Sequence, residues 1–436
     1  MRKKLCRPLV HVCPLLLILV LAGPQAVAGP PRPATDEEIR ALLDAAGDAA
    51  GYGNAALVYV LDEADVHVQK SGLATTESCQ VIKILTDAAI RSQSVLRRDF
   101  DPDTNRVAIR SVKIHRAGGE VEEVPVSGVI TQPTPQGSIF WGGEQHLLSI
   151  PRLEVGDALE IRTSKIGFNI AYLSDGAGAL DPTGLEPPME GHWYESTSFE
   201  GSYPIIRKRY SVHIPSDMPI QYEVYNGTLK SSLWFDGDRH VHTFIAEDVP
   251  AVRGEAHMVS RSDCTTKLVM ATVPDWEMKS RWFHEVNEPQ FEADDAIRAK
   301  VEELTAHLDD DEAKIAACLH WVADYVRYYG TSRGPREGFT LHTGIETFRD
   351  KGGVCKDKAG MLVTMLRVLG HEVYPALTMA GSRVEAIPAD QFNHTVTVMR
   401  NPDGTFRILD PTWSPLSKEL WSSREALQGL VYGTPE

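Results

Sequence analysis

From Ala55 to about Ala246 apolar and polar residues alternate in short runs, and past Pro274 the alternation gives way to helical spacing. This switch constrains the fold more than any other feature. A period of two lines the two faces of a sheet, whereas a period of 3.6 lines one stripe of a helix. Residues 57–60, 80–85 and 107–114 read as strands, and Gly118-Gly119 turns the last of these into 121–124. Further strands are predicted at 158–164, 208–214, 220–225 and 240–244. Alternating runs punctuated by turn residues predict an antiparallel, sandwich-like architecture. Residues 173–191, rich in Gly, Pro and Asp, read as a long loop. Beyond Pro274, helices are predicted at 276–286, 294–308 and 311–328. The third carries an apolar stripe of Ile315, Cys318, Leu319, Val322, Val326 and Tyr329, so Cys318 reads as a packed small hydrophobe. The fold class expected is multidomain: a mainly β region over 55–270, then an α+β domain over 275–425. A Pro-rich helical segment at 29–54 precedes them, with its helix over 36–50. Residues 426–436, with strand-like Leu430-Val431-Tyr432, read as the start of a further domain or a tail.

The first 28 residues read as an export signal. Arg2-Lys3-Lys4 precedes an apolar run at 15–22, Gly23-Pro24 breaks it, and Ala26-Val27-Ala28 offers small residues for cleavage. The run is too short to span a bilayer, which takes about 20 apolar residues. The expected location is periplasmic or extracellular, in a bacterium, with no stable membrane span. The formal charge is −16, or −20 without residues 1–28, which hold four basic residues and no acid. Such a balance repels phosphate backbones and argues against nucleic-acid partners. Cys79, Cys264, Cys318 and Cys355 remain after cleavage, too few for a disulfide scaffold. A Cys79–Cys264 bridge has no support in spacing. Without CxxC or a His/Cys cluster, no metal and no cofactor is expected.

One constellation carries chemistry. Thr343-Gly344-Ile345-Glu346 fits a capping box, and Lys351-Gly352-Gly353 ends that short helix. Cys355 follows directly, in the first turn of a helix whose Ala359, Leu362, Leu366 and Leu369 share its face. Helix N-termini stabilise a thiolate and can hold an oxyanion. On this pattern Lys356, Asp357 and Lys358 fall on the solvated side, with Asp357 alternatively anchoring a loop. A hairpin follows: a strand from Phe392 to Arg400, the turn Asn401-Pro402-Asp403-Gly404, and a return through Asp410. If the numbers of paired residues sum to 804 or 806, His394 and Asp410 share a face within hydrogen-bonding reach; a sum of 805 separates them. Cys355 as nucleophile, His394 as base and Asp410 as orienter form the candidate triad.

The pieces Gly353-Val354-Cys355-Lys356-Asp357-Lys358-Ala359, Phe392-Asn393-His394 and Leu409-Asp410-Pro411-Thr412-Trp413 resemble the transglutaminase-like superfamily, relatives of papain-type cysteine peptidases. The β region, with Leu153-Glu154-Val155-Gly156-Asp157, resembles the uncharacterised domain that precedes such cores in exported bacterial proteins. The resemblance implies a papain/transglutaminase-like fold and acyl transfer through a thioester, with Cys355, His394 and Asp410 in the roles given. The acceptor is an amine (cross-linking) or water (peptidase or amidase). The expected partner is a protein or peptide substrate, cell-wall peptide included. The alternative is a non-catalytic cell-envelope binding or scaffold protein that retains the fold. Val354 departs from the family, which usually places a polar residue there, and would alter the rim of the cleft. Tyr328 and Tyr329 are candidates for the oxyanion-hole side chain, with packing at a helix end as the competing role. Trp413 lines the cleft or packs in the core. His320 and His342 read as structural. Asn226-Gly227-Thr228 and Asn393-His394-Thr395 match glycosylation sequons; the second would place a glycan beside the base, which favours a bacterial source, where such signals usually go unread.

Overall fold

A computed structural model describes residues 32–135, 139–140, 142–168, 185, 189–331, 340–413 and 429–435. The proposed export signal, and all but a few residues of the 173–191 loop, lie outside them. The β region is built on an eight-stranded sheet. Its two halves meet where Leu57–Val68 runs parallel to Ile205–Pro215; its other neighbours pair antiparallel. Two three-stranded sheets cover one face. The sheet of Val95–Phe100, Glu144–Ser149 and Ile130–Pro133 closes a core around Leu57, Ile114, Leu148 and Leu159. The sheet of Tyr194–Ser198, Lys267–Ala271 and Gln221–Tyr225 closes a second core around Val66, Phe199, Phe244 and Met270. The expected sandwich is therefore two half-sandwiches on one long sheet.

The reverse face is held differently. Helix α1 (Asp36–Ala45), opened by a Thr35/Glu38 capping box, buries Ile39 against Val58, Val60 and Leu61. It is shorter than the 36–50 expected. A bulge between Tyr59 and Leu61 flips the later alternation, so Glu63 and Asp65 point to this face. There Arg209, 2% exposed, reaches Glu63 at 3.0 Å and both oxygens of Asp65 at 2.8 Å. The second oxygen of Glu63 accepts the Ala34 N–H at 2.9 Å. A short helix, α2 (Asp87–Ser92), lies on the opposite face, where Ala89 is buried in the core around Leu57, Ile114 and Leu148.

In the C-terminal domain three helices start on an Asp that accepts an N3 backbone N–H: α3 (Trp276–Asn287), α4 (Asp295–Thr305) and α5 (Asp311–Tyr325). Helices α6 (Gly344–Asp350) and α7 (Cys355–Val368) follow. A four-stranded antiparallel sheet of Phe406–Leu409, His394–Arg400, Val373–Thr378 and Leu430–Tyr432 packs on them. Leu430–Tyr432 thus belongs to this sheet, paired with Val373–Thr378. Cys318 is fully buried, and burial pushes its thiol up to about 12, as suits a packing residue. Among the described residues Cys79, Cys264, Cys318 and Cys355 are free thiols. No helix among them is long and apolar enough to cross a membrane.

Candidate active site

The predicted third helix ends three residues early. Its last carbonyls are taken by a side chain: Lys358 Nζ donates to Val322, Ala323 and Val326 oxygens at 3.2, 3.0 and 2.6 Å. The chain then leaves α5 as a short strand, with Arg327 and Tyr328 running parallel to Gly352 and Gly353. Tyr329 is accordingly 37% exposed instead of lying on the core stripe. The two glycines make the approach feasible. A Cβ on Gly352 would fall 1.9 Å from the Tyr329 ring, and one on Gly353 would fall 2.4 Å from Asp357.

This arrangement lays Tyr328 beside the first residue of α7. Tyr328, 41% exposed, lies close enough to Cys355 for each side chain to feel the other's charge. Burial first, then the thiol's charge, push the phenol up to about 12, so it stays protonated as a donor. Val354 occupies the N-cap of α7. Its isopropyl group cannot accept a hydrogen bond, so it consumes none of the helix's first N–H groups, while its own N–H donates to Asp357 Oδ2 at 2.9 Å. Val354 is buried and does not form the rim.

Helix α7 has no solvated side. Lys356, Asp357 and Lys358 are all buried, because α5 and α6 cover the flank left free by the sheet. Each finds fixed partners. Lys356 donates to Thr340 oxygen at 2.9 Å. Asp357 Oδ1 accepts the His342 N–H at 3.1 Å and faces that imidazole at 3.3 Å, so it anchors the neighbouring loop. Burial draws Lys358 down to about 8, against the opposing charge of Asp410. The signal was present in the spacing: Lys358, three after Cys355 and four before Leu362, lies on the inward stripe.

The hairpin pairs Thr397 with Leu409 and Arg400 with Phe406, a sum of 806. His394 and Asp410 are therefore diagonal neighbours on one face, His394 Nε2 lying 3.1 Å from Asp410 Oδ2. Asp410 Oδ1 accepts the Thr412 N–H at 2.7 Å, so the carboxylate is held at both oxygens. With Nε2 so engaged, Nδ1 remains for a second partner, and Cys355 lies close enough for its thiol to raise the imidazole. Burial alone would lower the His394 pKa. The hydrogen bonds and charges of Asp410 and Cys355 outweigh it and carry it up to about 10. Trp413, 38% exposed, covers the solvent side with its ring 5.5 Å from that of His394. An imidazole between a carboxylate and a partly exposed thiol, with a phenol and a helix-terminal N–H nearby, can withdraw a proton from sulfur and hold an oxyanion. Among the described residues no group of three or more His, Cys, Asp or Glu could hold a metal.

Residues 70–253 match DUF3857, a domain of unknown function, and residues 298–411 match the core of the transglutaminase-like superfamily. A Parabacteroides distasonis protein designated a candidate protease shares the architecture, with a TM-score of 0.65 at 14% identity, over 83% of this chain and 68% of that one. A candidate cysteine protease from Cytophaga hutchinsonii aligns over 51% of this chain and 75% of its own, at 12% identity and a TM-score of 0.23. An M1 zinc metallopeptidase from Deinococcus radiodurans aligns over 50% and 42%, at 14% and 0.27. Neither of these two superposes well enough to bear on the fold. No curated protein matches the chain. The chain thus joins an N-terminal DUF3857 domain to a core domain of the transglutaminase-like superfamily.

Proposed function

We propose that this is an exported bacterial cysteine enzyme that cleaves or transfers amide bonds of proteins or peptides, cell-wall peptide included. The observation that carries the reading is the His394 imidazole bonded to the buried Asp410 carboxylate, with Cys355 close enough for its thiol to raise it. In this mechanism His394 takes the thiol proton and the thiolate attacks the amide carbonyl. Tyr328 and the Cys355 N–H then receive the oxyanion. Collapse releases the amine, which takes the proton from His394, and leaves a thioester for water or an amine acceptor. Export rests on the signal-like residues 1–28 and would place the site at the cell envelope.

The test is the rate of Cys355 alkylation by iodoacetamide against pH, in the wild type and in His394→Ala. The reading expects fast labelling well below pH 8 that collapses in the variant. Equal, slow labelling in both, rising only near the free-thiol value of about 8.5, would leave a binding domain as the better account.

A further inference from the structure

The loop that leads into His394 is built against the other domain. It leaves the strand Val373–Thr378 and returns at His394, and its middle is fastened to the β region. The Arg383 N–H donates to Asp263 at 2.9 Å, Glu385 pairs with Lys267 at 2.8 Å, and the Ala386 N–H donates to the Tyr225 hydroxyl at 3.1 Å. Ile387 and Ala389 are buried against the three-stranded sheet.

The last anchor is Asp390, four residues ahead of the imidazole. Its Oδ2 accepts from the Tyr194 hydroxyl at 3.1 Å, and its Oδ1 faces Lys279 Nζ of α3 at 3.7 Å. Lys279 is fully buried, its ammonium 4.6 Å from the centre of the Tyr194 ring. A carboxylate and an ammonium sealed in an apolar interface are seldom a good source of stability, and removing one partner alone strands the other. From Asp390 the chain has little freedom before the imidazole. Asn393 is pinned to Ala380 by two side-chain hydrogen bonds of 2.7 and 3.1 Å and to Thr378 by its N–H at 3.2 Å.

We infer that Asp390 is a positioning residue for His394. Held by Tyr194 of the β region and Lys279 of α3, it sets where the loop delivers the imidazole to Cys355. The DUF3857 domain is then a structural part of the active site. This rests on the reading of His394 as the base.

The experiment uses the full chain carrying Tyr194→Phe, Asp390→Asn, or the paired apolar replacement Lys279→Met with Asp390→Leu. Iodoacetamide labelling of Cys355 is followed from pH 5 to 9, beside thermal unfolding. Tyr194→Phe removes one oxygen and leaves the packing, and the paired replacement leaves no buried charge alone. The expected result is cooperative unfolding in both. Labelling at pH 6 should fall about threefold in Tyr194→Phe and about tenfold in the Asp390 variants, with the profile shifted toward that of His394→Ala. Labelling that stays within twofold of wild type across the pH range, whatever the melting temperature does, overturns the positioning role alone. A wild type indistinguishable from His394→Ala overturns both this inference and the reading of the base.

Discussion

Buried charge is organised in two places here, and they differ in what is left over. On the reverse face of the long sheet Arg209 spends its guanidinium on Glu63, Asp65 and Ser211, while Glu63 takes the Ala34 N–H. The network extends to His213, 3.6 Å from Asp65, and joins the two strands that run parallel across the middle of the sheet without ending on a nucleophile. Around Cys355 the buried Lys358 and Asp357 are also engaged: Lys358 ties the end of α5 to the start of α7, and Asp357 ties the loop at His342 to it. The difference is that the Asp410–His394 line ends on a thiol that is only partly buried. Burial and pairing are common to a stability device and a chemical site. A reactive atom at the open end distinguishes them.

The sharpest way to break that comparison is Cys355→Ala. It should reduce turnover of any amide substrate by roughly four orders of magnitude or more, while the chain still folds and unfolds cooperatively. Arg209→Ala should do the reverse. Stranding Glu63 and Asp65 in the interior should cost about 3–5 kcal/mol in chemical denaturation, with the Cys355 alkylation rate of the folded fraction unchanged. Tyr328→Phe tests the oxyanion role: loss of one donor should lower kcat about 100-fold with little change in KM, whereas a purely packing tyrosine would tolerate the exchange.

The last effect expected is a pH dependence. His394 is raised from an ordinary value near 6.5 to about 10 in the folded chain. Its charge therefore stabilises the fold fully below about pH 6.5, and this contribution is lost as pH rises toward about 10. The urea midpoint should decline over that window. Cys355→Ala removes one of the groups that raise the imidazole, so it should flatten the decline. An unchanged slope would show that the two side chains do not share a proton.

What sequence reading located best was local. The turn at 401–404 closes through the Asn401 N–H to Thr405 oxygen at 2.7 Å and the Gly404 N–H to Asn401 oxygen at 2.9 Å, with Gly404 at φ +84°. That turn sets the register, and the register places His394 and Asp410 on one face. Helix starts were equally legible, since an Asp or Thr before an apolar period marks an N-cap whatever the fold does. Strands whose packing faces lie in distant segments were not. Val95–Phe100, Glu144–Ser149, Tyr194–Ser198 and Lys267–Ala271 went unread because short, mixed runs carry little signal of their own.

The sequence alone determined the mainly β region followed by an α+β domain, the hairpin, and the residue types of a cysteine triad in workable order. These follow from periodicity, turn chemistry and capping, which act over a few residues. Only the tertiary structure decided that Lys358 would take the last carbonyls of α5, and that Tyr328 would lie beside Cys355. It also decided that Asp390 would be held by a tyrosine 196 residues earlier in the chain. Each of those depends on what packs against a buried polar group. A side chain that looks solvated from its neighbours in sequence is buried once remote elements close over it, and must then find its partners there.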